Sequence, residues 1–274
     1  MKLQTFIVFF VSTLTACSQN RGVGYQFELF QNTTCWELAK AVDKEDLKEI
    51  KRILENKNIN INLQEPKYHT TILHLAISND RLNSTRILLE RNANFNLLDI
   101  DKRSAMDMAV NDIKSKKNSY KIIELLIKHG ADINIVRSHS NNNDTLGYSI
   151  PLMDAVNDLD CAKLLLDHGA NPYFKTGDTY PVWFFMLLRG DINDNIYVAK
   201  YMIVDKKMLI PNPISYTVDK KPLNILDLLS DLDLSKDTKK QMAKEEIIIY
   251  LKNIGFPDNG VYSMLFRDYF FLMA

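Results

Sequence analysis

The chain has 274 residues, of which 46% are hydrophobic and 25% are charged, so its composition is that of a folded globular protein and not of a disordered one. Its 34 Lys and Arg residues balance 34 Asp and Glu residues, which argues against a broadly cationic surface that captures nucleic acid. Three cysteines exclude a disulfide scaffold, and nine glycines leave little room for glycine-rich phosphate loops.

The first predicted element is an apolar segment near the N-terminus. Lys2 precedes Phe6–Val11, an apolar run whose length fits the hydrophobic region of a signal peptide and is too short to span a bilayer. The run leads into Leu14-Thr15-Ala16-Cys17, which resembles the bacterial lipobox. The resemblance implies a signal peptide over residues 1–16 and lipidation of Cys17. Two alternatives remain: an ordinary secretory signal with a chance cysteine, and a cytosolic protein with an apolar N-terminal helix.

The residues after the lipobox bear on location. Ser18 follows the cysteine where an Asp would favour the inner membrane, so the resemblance implies a protein anchored on the periplasmic side of the cell envelope, at the outer membrane. We predict that residues 17–33 form a tether, which Gly22 and Gly24 make flexible. The G-x-G of this segment lacks the flanking strand and helix that nucleotide binding requires.

The rest of the chain repeats one pattern. Thr71-Ile72-Leu73-His74-Leu75-Ala76 precedes the apolar Ile87-Leu88-Leu89, and the matching Ser104–Ala109 ends 33 residues after Ala76. A third copy, Ile150–Ala155, is followed by the sequence CAKLLLDHGAN. These segments resemble the ankyrin repeat, whose T-P-L-H-x-A signature opens a unit of one turn and two helices. The resemblance implies an all-α ankyrin-repeat solenoid.

Degenerate copies of the pattern begin at Thr34, Tyr180 and Lys221. With them the array has about six units over residues 34–256, and atypical units at the ends of such an array are expected. The pattern also predicts where second helices end, at residues able to adopt a left-handed conformation. These residues are Asn92, Gly130, Gly169 and Gly255.

Four segments depart from the pattern. Ser115–Tyr120 lengthens the loop between the two helices of the third unit, Arg137–Ser149 is a polar insert, and Asp205–Lys220 is predicted to extend as a finger. The charged segment Asp231–Glu246 is predicted to separate the last two helices. The apolar tail, residues 257–274, is predicted to be a capping helix over the last unit, with a partner-binding patch as the alternative.

No catalytic motif occurs in the sequence. The patterns G-x-S-x-G, H-E-x-x-H and the Walker loop are absent, so we expect neither catalysis nor a cofactor or metal. By the ankyrin resemblance His74 forms hydrogen bonds in the turn. Cys161 takes an inward helix position and is expected to be a small buried side chain. Because Cys35 lies about three repeats from Cys161, we predict no disulfide between them.

Ankyrin arrays bind proteins through their turns and the surface of their first helices, so the resemblance implies a protein partner. The candidate contact residues lie in the predicted turns and inserts and combine both charge signs with aromatic groups, as protein interfaces do. They are Gln64, Glu65, Lys67, Tyr68, Asp99, Asp101, Lys102, Arg103, Arg137, His139, Asn143, Lys175, Asp178 and Tyr180.

An ankyrin array behind a lipobox is similar to the immunity lipoproteins that neutralise type VI secretion effectors, phospholipases above all. The resemblance implies a protein that is a monomer when free, touches the membrane through its anchor alone, and binds a toxin to occlude it. The alternative is a structural or chaperone-like periplasmic scaffold for an envelope enzyme. A third reading, an enzyme with residues gathered across repeats, would require a deep polar pocket.

Overall fold

The structure is a computed structural model that describes residues 26–55, 58–113, 115–140, 146–155, 158–174, 192–210, 215–216, 222–230 and 232–256. The chain divides into two compact units, Met1–Ala155 with Leu164–Asn171, and Val156–Lys163 with Pro172–Ala274. The predicted signal peptide, Cys17 and the apolar tail lie outside the described residues. Part of the predicted tether is ordered as a 3-10 helix, Phe27–Phe30, whose two phenylalanines are buried.

The first unit is built from consecutive helix pairs. The helices in chain order are α1 Trp36–Asp43, α2 Leu47–Leu54, α3 Ile72–Ser78, α4 Leu82–Glu90, α5 Ala105–Asn111, α6 Ser119–Lys128 and α7 Pro151–Asp154. The next helix, α8 Leu159–Asp167, contains residues of both units. Within each of the first three pairs the two helices pack together. Between pairs, α1 packs on α3, α3 on α5 and α5 on α7, while α2 packs on α4 and α4 on α6.

The stacking follows from how apolar residues are distributed on the two kinds of helix. Every side chain from Ile72 to Ile77 in α3 is buried, because α1 and α5 cover it on opposite sides. Helix α2, by contrast, buries only Ile50 and Ile53 and exposes its charged residues. A single pair is too short to form its own core, so each pair is stabilised mainly by its neighbours.

The helix ends carry local capping signals. Thr71 with His74, and Ser104 with Asp107, form reciprocal capping boxes at the starts of α3 and α5. Pro151 occupies the first turn of α7. The predicted left-handed positions are confirmed, since φ is 84° at Gly130, 94° at Gly169, 74° at Gly255 and 62° at Asn92.

Two connections in the first unit differ in length from the rest. Residues 112–118 separate α5 from α6, whereas residues 79–81 separate α3 from α4, so the connection is long, as predicted. Ser119 and Tyr120, which were predicted to belong to this loop, instead begin α6. The polar insert contains two antiparallel strands, β1 Arg137–Ser140 and β2 Leu146–Ser149, with Arg137 opposite Ser149. The insert therefore returns the chain close to where it left the third helix pair.

The second unit contains α9 Ile192–Lys200, a π-helical turn Tyr201–Asp205, the strands β3 Ser215–Tyr216 and β4 Pro222–Leu223, α10 Ile225–Ser230 and α11 Thr238–Asn253. Helices α9 and α10 both pack on α11, and β3 pairs antiparallel with β4. The expectation that Asp231–Glu246 merely separates two helices is wrong, because α11 begins at Thr238. Asp237 caps this start, and the Lys, Glu, Gln, Met and Ala residues that follow are good helix formers.

The predicted fold class is confirmed as all-α, with two short antiparallel strand pairs in the connections. Among the helices of the described ranges, none has the length and apolar character needed to cross a membrane.

Candidate functional site

The turn before α3, residues 65–70, is organised around a buried carboxylate, and we call it the first finger turn. Glu65 is 1% exposed and accepts hydrogen bonds from the backbone N–H groups of Lys67, Tyr68 and Thr70, at 2.7, 2.6 and 3.2 Å. The Thr70 hydroxyl donates to the same carboxylate. Because the carboxylate binds backbone groups on three residues, it fixes the conformation of the turn.

The equivalent turn before α5, residues 99–103, is the second finger turn and has the same construction. Asp99 is 2% exposed and accepts from the backbone N–H of Arg103 at 2.8 Å. The Arg103 guanidinium donates to Asp99 through Nε at 2.9 Å and Nη2 at 2.7 Å, and Nη2 also reaches Asp101 at 2.6 Å. Lys102 lies at the exposed end of this turn with a left-handed φ of 60°.

Hydrogen bonds join the two finger turns to each other. The Ile100 N–H donates to the Tyr68 carbonyl at 2.8 Å. The Gln64 amide donates to the carbonyls of His69 and Leu98, at 2.7 and 2.8 Å, and so connects successive repeats. The finger turns are therefore neighbours in a row that is joined by hydrogen bonds.

His74 ties the capping box to the next repeat. Its Nδ1 accepts the Thr71 N–H at 3.2 Å, so the ring proton is on Nε2, which donates to the Leu97 carbonyl at 3.1 Å. Complete burial lowers the pKa of His74 from 6.5 to about 4, so the ring is neutral in the folded protein near pH 7. This geometry gives His74 the structural role that the resemblance implies.

Asparagine side chains form a second set of links between repeats. The Asn94 N–H donates to Oδ1 of Asn62 at 2.7 Å, and the Asn171 N–H donates to Oδ1 of Asn134 at 2.7 Å. The Asn134 amide also donates to the Gly169 carbonyl at 3.1 Å. Both asparagines use their side chains on backbone groups of the following repeat, which fixes the spacing between repeats.

The base of the β1–β2 insert is attached to α7 by an ion pair. Arg137 donates through Nη2 to Asp154 at 3.1 Å and through Nε to the Ser149 hydroxyl at 3.1 Å. Asp107 lies buried nearby, and its Oδ2 accepts from Ser104, while its Oδ1 has no hydrogen-bond partner within the described part of the chain. Burial raises the pKa of Asp107 because the charged carboxylate is desolvated.

The predicted contact residues fall into five groups by position. Exposed are Gln64, Lys67, Asp101 and Lys102; partly buried are Tyr68, Arg103 and Arg137; buried within the finger turns are Glu65 and Asp99. His139 lies on β1, and its side chain is not among those described. Asn143, Lys175, Asp178 and Tyr180 lie outside the described residues. The part that each of these residues has in partner binding stays a prediction, although the burial of Glu65 and Asp99 gives their carboxylates a structural task.

Sequence reasoning missed two exposed apolar residues, one in a finger turn and one before the β1–β2 insert. Ile100 is 50% exposed in the second finger turn, and Val136 is 44% exposed directly before β1. Apolar residues in an amphipathic array are normally assigned to the core, so residue type alone does not indicate that these two are exposed. Their positions could have indicated it, because each lies in or just before a predicted turn.

The described side chains also limit the chemistry of this surface. Within the described ranges, there is no group of three or more His, Cys, Asp or Glu residues that could hold a metal ion. Cys35 and Cys161 are buried, and burial raises the pKa of the Cys35 thiol. An open groove of about 310 Å³ lies on α4 and α6 and is lined by Arg86, Lys121, Glu124, Leu125 and Lys128.

Comparison with known families agrees with this geometry. Residues 38–137 match the family model for ankyrin repeats in three copies, and residues 149–177 match a further ankyrin repeat. None of the curated proteins matches the chain. The matched residues are therefore ankyrin repeats and include most of α1, although the unit that begins at Thr34 departs from the signature. The units predicted from Tyr180 and Lys221 lie outside the matched residues.

Ankyrin repeats are typically non-catalytic modules that bind other proteins, so the matched residues indicate a scaffold for protein–protein interaction.

Proposed function

We propose that this protein is an envelope-anchored immunity protein that binds a type VI secretion effector, a phospholipase or another toxin active in the periplasm, and neutralises it by occlusion. The observation that carries the proposal is the bonded row of finger turns in the first unit. Because buried carboxylates and bonds between turns already order these loops, a partner that binds them loses little loop entropy. A preorganised surface suits tight, stoichiometric inhibition.

Occlusion needs no reactive group on this chain. A bound ankyrin surface that covers the active site or the membrane-docking face of a toxin blocks it sterically. This mode of action fits the described part of the molecule, in which the finger turns carry exposed polar, charged and apolar side chains. Inhibition by occlusion also requires one copy of the inhibitor for each copy of the toxin.

The lipobox resemblance supplies the proposed location. An acylated Cys17 would anchor the chain on the periplasmic side of the outer membrane, where an incoming toxin acts. Each buried methylene of an acyl chain contributes about 0.8 kcal/mol, so two or more chains anchor firmly. The tether would then leave the ankyrin repeats free to meet a partner in the periplasm.

Co-expression with the product of the adjacent gene tests the immunity role. We expect the full-length chain to co-purify with that product and to protect cells in which the product is directed to the periplasm. Protection without a stable complex, or a complex without protection, contradicts occlusion. A captured envelope enzyme that remains active in the complex would instead support the alternative, a structural or chaperone-like scaffold.

Metabolic labelling with palmitate tests the anchor. The wild-type chain and the control variant Ser18→Ala should incorporate label and sediment with membranes, whereas Cys17→Ser should do neither. Cys35 and Cys161 remain in all three proteins, so the comparison isolates the effect of Cys17. Label that persists in Cys17→Ser would contradict acylation at Cys17.

A further inference from the structure

The two finger turns separate opposite charges by depth. The carboxylates of Glu65 and Asp99 lie buried at the base of the turns, where they accept hydrogen bonds from backbone groups and from Arg103. The remaining acid, Asp101, is bonded to Arg103 at 2.6 Å. All three acids of the finger turns are therefore engaged by donors of the same turns.

The cations of the finger turns have a different environment. Lys67 and Lys102 are exposed, and neither has an ion-pair partner among the residues that the structure describes. The Lys67 ammonium lies 4.9 Å from the centre of the Tyr68 ring. The sequence mixes charge signs in these turns, but the fold leaves the ammonium groups as the charges without an ionic partner.

Apolar surface accompanies these cations. Ile100 is 50% exposed, Tyr68 is partly exposed, and the Ile100 N–H bonded to the Tyr68 carbonyl places the two residues side by side. An aromatic ring and an aliphatic side chain next to ammonium groups form a surface that combines apolar contact with attraction for anions. We call Lys67, Tyr68, Ile100 and Lys102 the finger ledge.

We infer that the finger ledge binds an acidic segment of a protein partner, one in which carboxylate side chains flank an apolar residue. The partner's carboxylates pair with Lys67 and Lys102, and its apolar side chain contacts Tyr68 and Ile100. This inference rests on the proposed function for the presence of a protein partner and adds the chemistry of the segment that is recognised. Charge complementarity of this kind sets specificity and the association rate.

The test uses the full-length chain purified in non-ionic detergent and two fluorescent peptides. One peptide has Asp and Glu residues around a Leu-Phe pair, and the other has Asn and Gln at the same positions. Fluorescence anisotropy should show binding of the acidic peptide at least about tenfold tighter than of the amide peptide, with a preference that decreases as salt increases. Equal affinity for the two peptides would overturn the inference.

Two sets of variants assign the binding to the finger ledge. Lys67→Gln with Lys102→Asn should abolish the preference for the acidic peptide, and Ile100→Ser should weaken binding of both peptides. The control, Lys121→Gln with Lys128→Gln, removes the same charge from exposed lysines on α6 and should leave the preference unchanged. If the ledge and control variants lose the preference for the acidic peptide equally, the assignment to the finger ledge is contradicted. Displacement of the peptide by a short oligonucleotide at equal concentration would also contradict it.

These outcomes are separable from those of the proposed function. If the effector is captured but the acidic peptide shows no preference, the ledge assignment fails and the proposed function stands. If the acidic peptide binds selectively but no effector is captured or neutralised, the immunity role fails and the ledge assignment stands.

Discussion

At the scale of single residues, buried carboxylates determine the shape of the finger turns. Asp99 and Asp101 both contact Arg103, yet the Asp99 side chain is 1% exposed and that of Asp101 is 63% exposed. A hydrogen bond to a charged group contributes more when the acceptor is shielded from water, and exposed ion pairs contribute little. The same residue type therefore has two different energetic roles within three positions of the chain.

The pair offers a matched test of stability. Asp99→Asn leaves a buried amide facing the Arg103 guanidinium, two donors in contact, and should lower the free energy of unfolding by about 1–3 kcal/mol. Asp101→Asn makes the same chemical change at an exposed position and should alter it by less than about 0.5 kcal/mol. Urea denaturation followed by circular dichroism measures both, and equal effects would contradict the structural role of Asp99.

His74 predicts a dependence of stability on pH. Its pKa is 6.5 when unfolded and about 4 when folded, so the folded state binds fewer protons between these values. The contribution of His74 is therefore complete above about pH 6.5 and is lost as pH falls toward 4, by about 3 kcal/mol.

The measurement compares unfolding free energies from pH 7 to pH 4 in the wild type and in His74→Gln, which keeps a capping side chain but does not titrate. The variant should show a smaller loss of stability on acidification. His168→Gln, at an exposed ring, should behave as the wild type. Parallel pH profiles for wild type and His74→Gln would refute the assignment.

At the scale of elements, the sequence predicted where second helices end. Asn92 and the left-handed glycines act within a few residues, so the sequence is enough to place them. The start of α11 was missed because alternating charge was interpreted as a linker, although its residue types favour a helix. The burial of Glu65 could not be predicted from the sequence either, because it depends on how the whole turn folds around the carboxylate.

The cap of α11 is open to test. Asp237→Ala removes the carboxylate that accepts from the N–H groups of Lys239 and Lys240, and should cost about 1 kcal/mol of stability. Asp233→Ala is a suitable control, because that exposed acid bonds only its own turn at Ser235. Faster amide hydrogen exchange confined to the first turn of α11 in Asp237→Ala would agree with the capping role, and unchanged exchange would exclude it.

At the scale of the molecule, stacking makes each helix pair of the first unit dependent on the next. Leu75 in α3 is fully buried in the layer covered by α1 and α5. Sequence periodicity predicted this layer, because apolar residues recur in each repeat signature. It did not predict the exposure of Ile100 or the bond between Asp101 and Arg103, because both depend on how the second finger turn folds.

A core truncation tests this dependence between repeats. Leu75→Ala should lower the free energy of unfolding by about 2–5 kcal/mol and increase amide hydrogen exchange in α1 and α5 as well as in α3. Leu209→Ala, at a side chain that is 50% exposed, should have little effect. If exchange increased in α3 alone, the helix pairs would be independent.

The acids at the base of the finger turns have an evolutionary consequence. Glu65 bonds the main-chain amides of residues 67, 68 and 70, and every amino acid except proline provides such an amide. The identities of the side chains at the tip are thus uncoupled from the frame that displays them. A lineage that keeps the anchoring acid can exchange its tip residues one at a time while the turn keeps its shape.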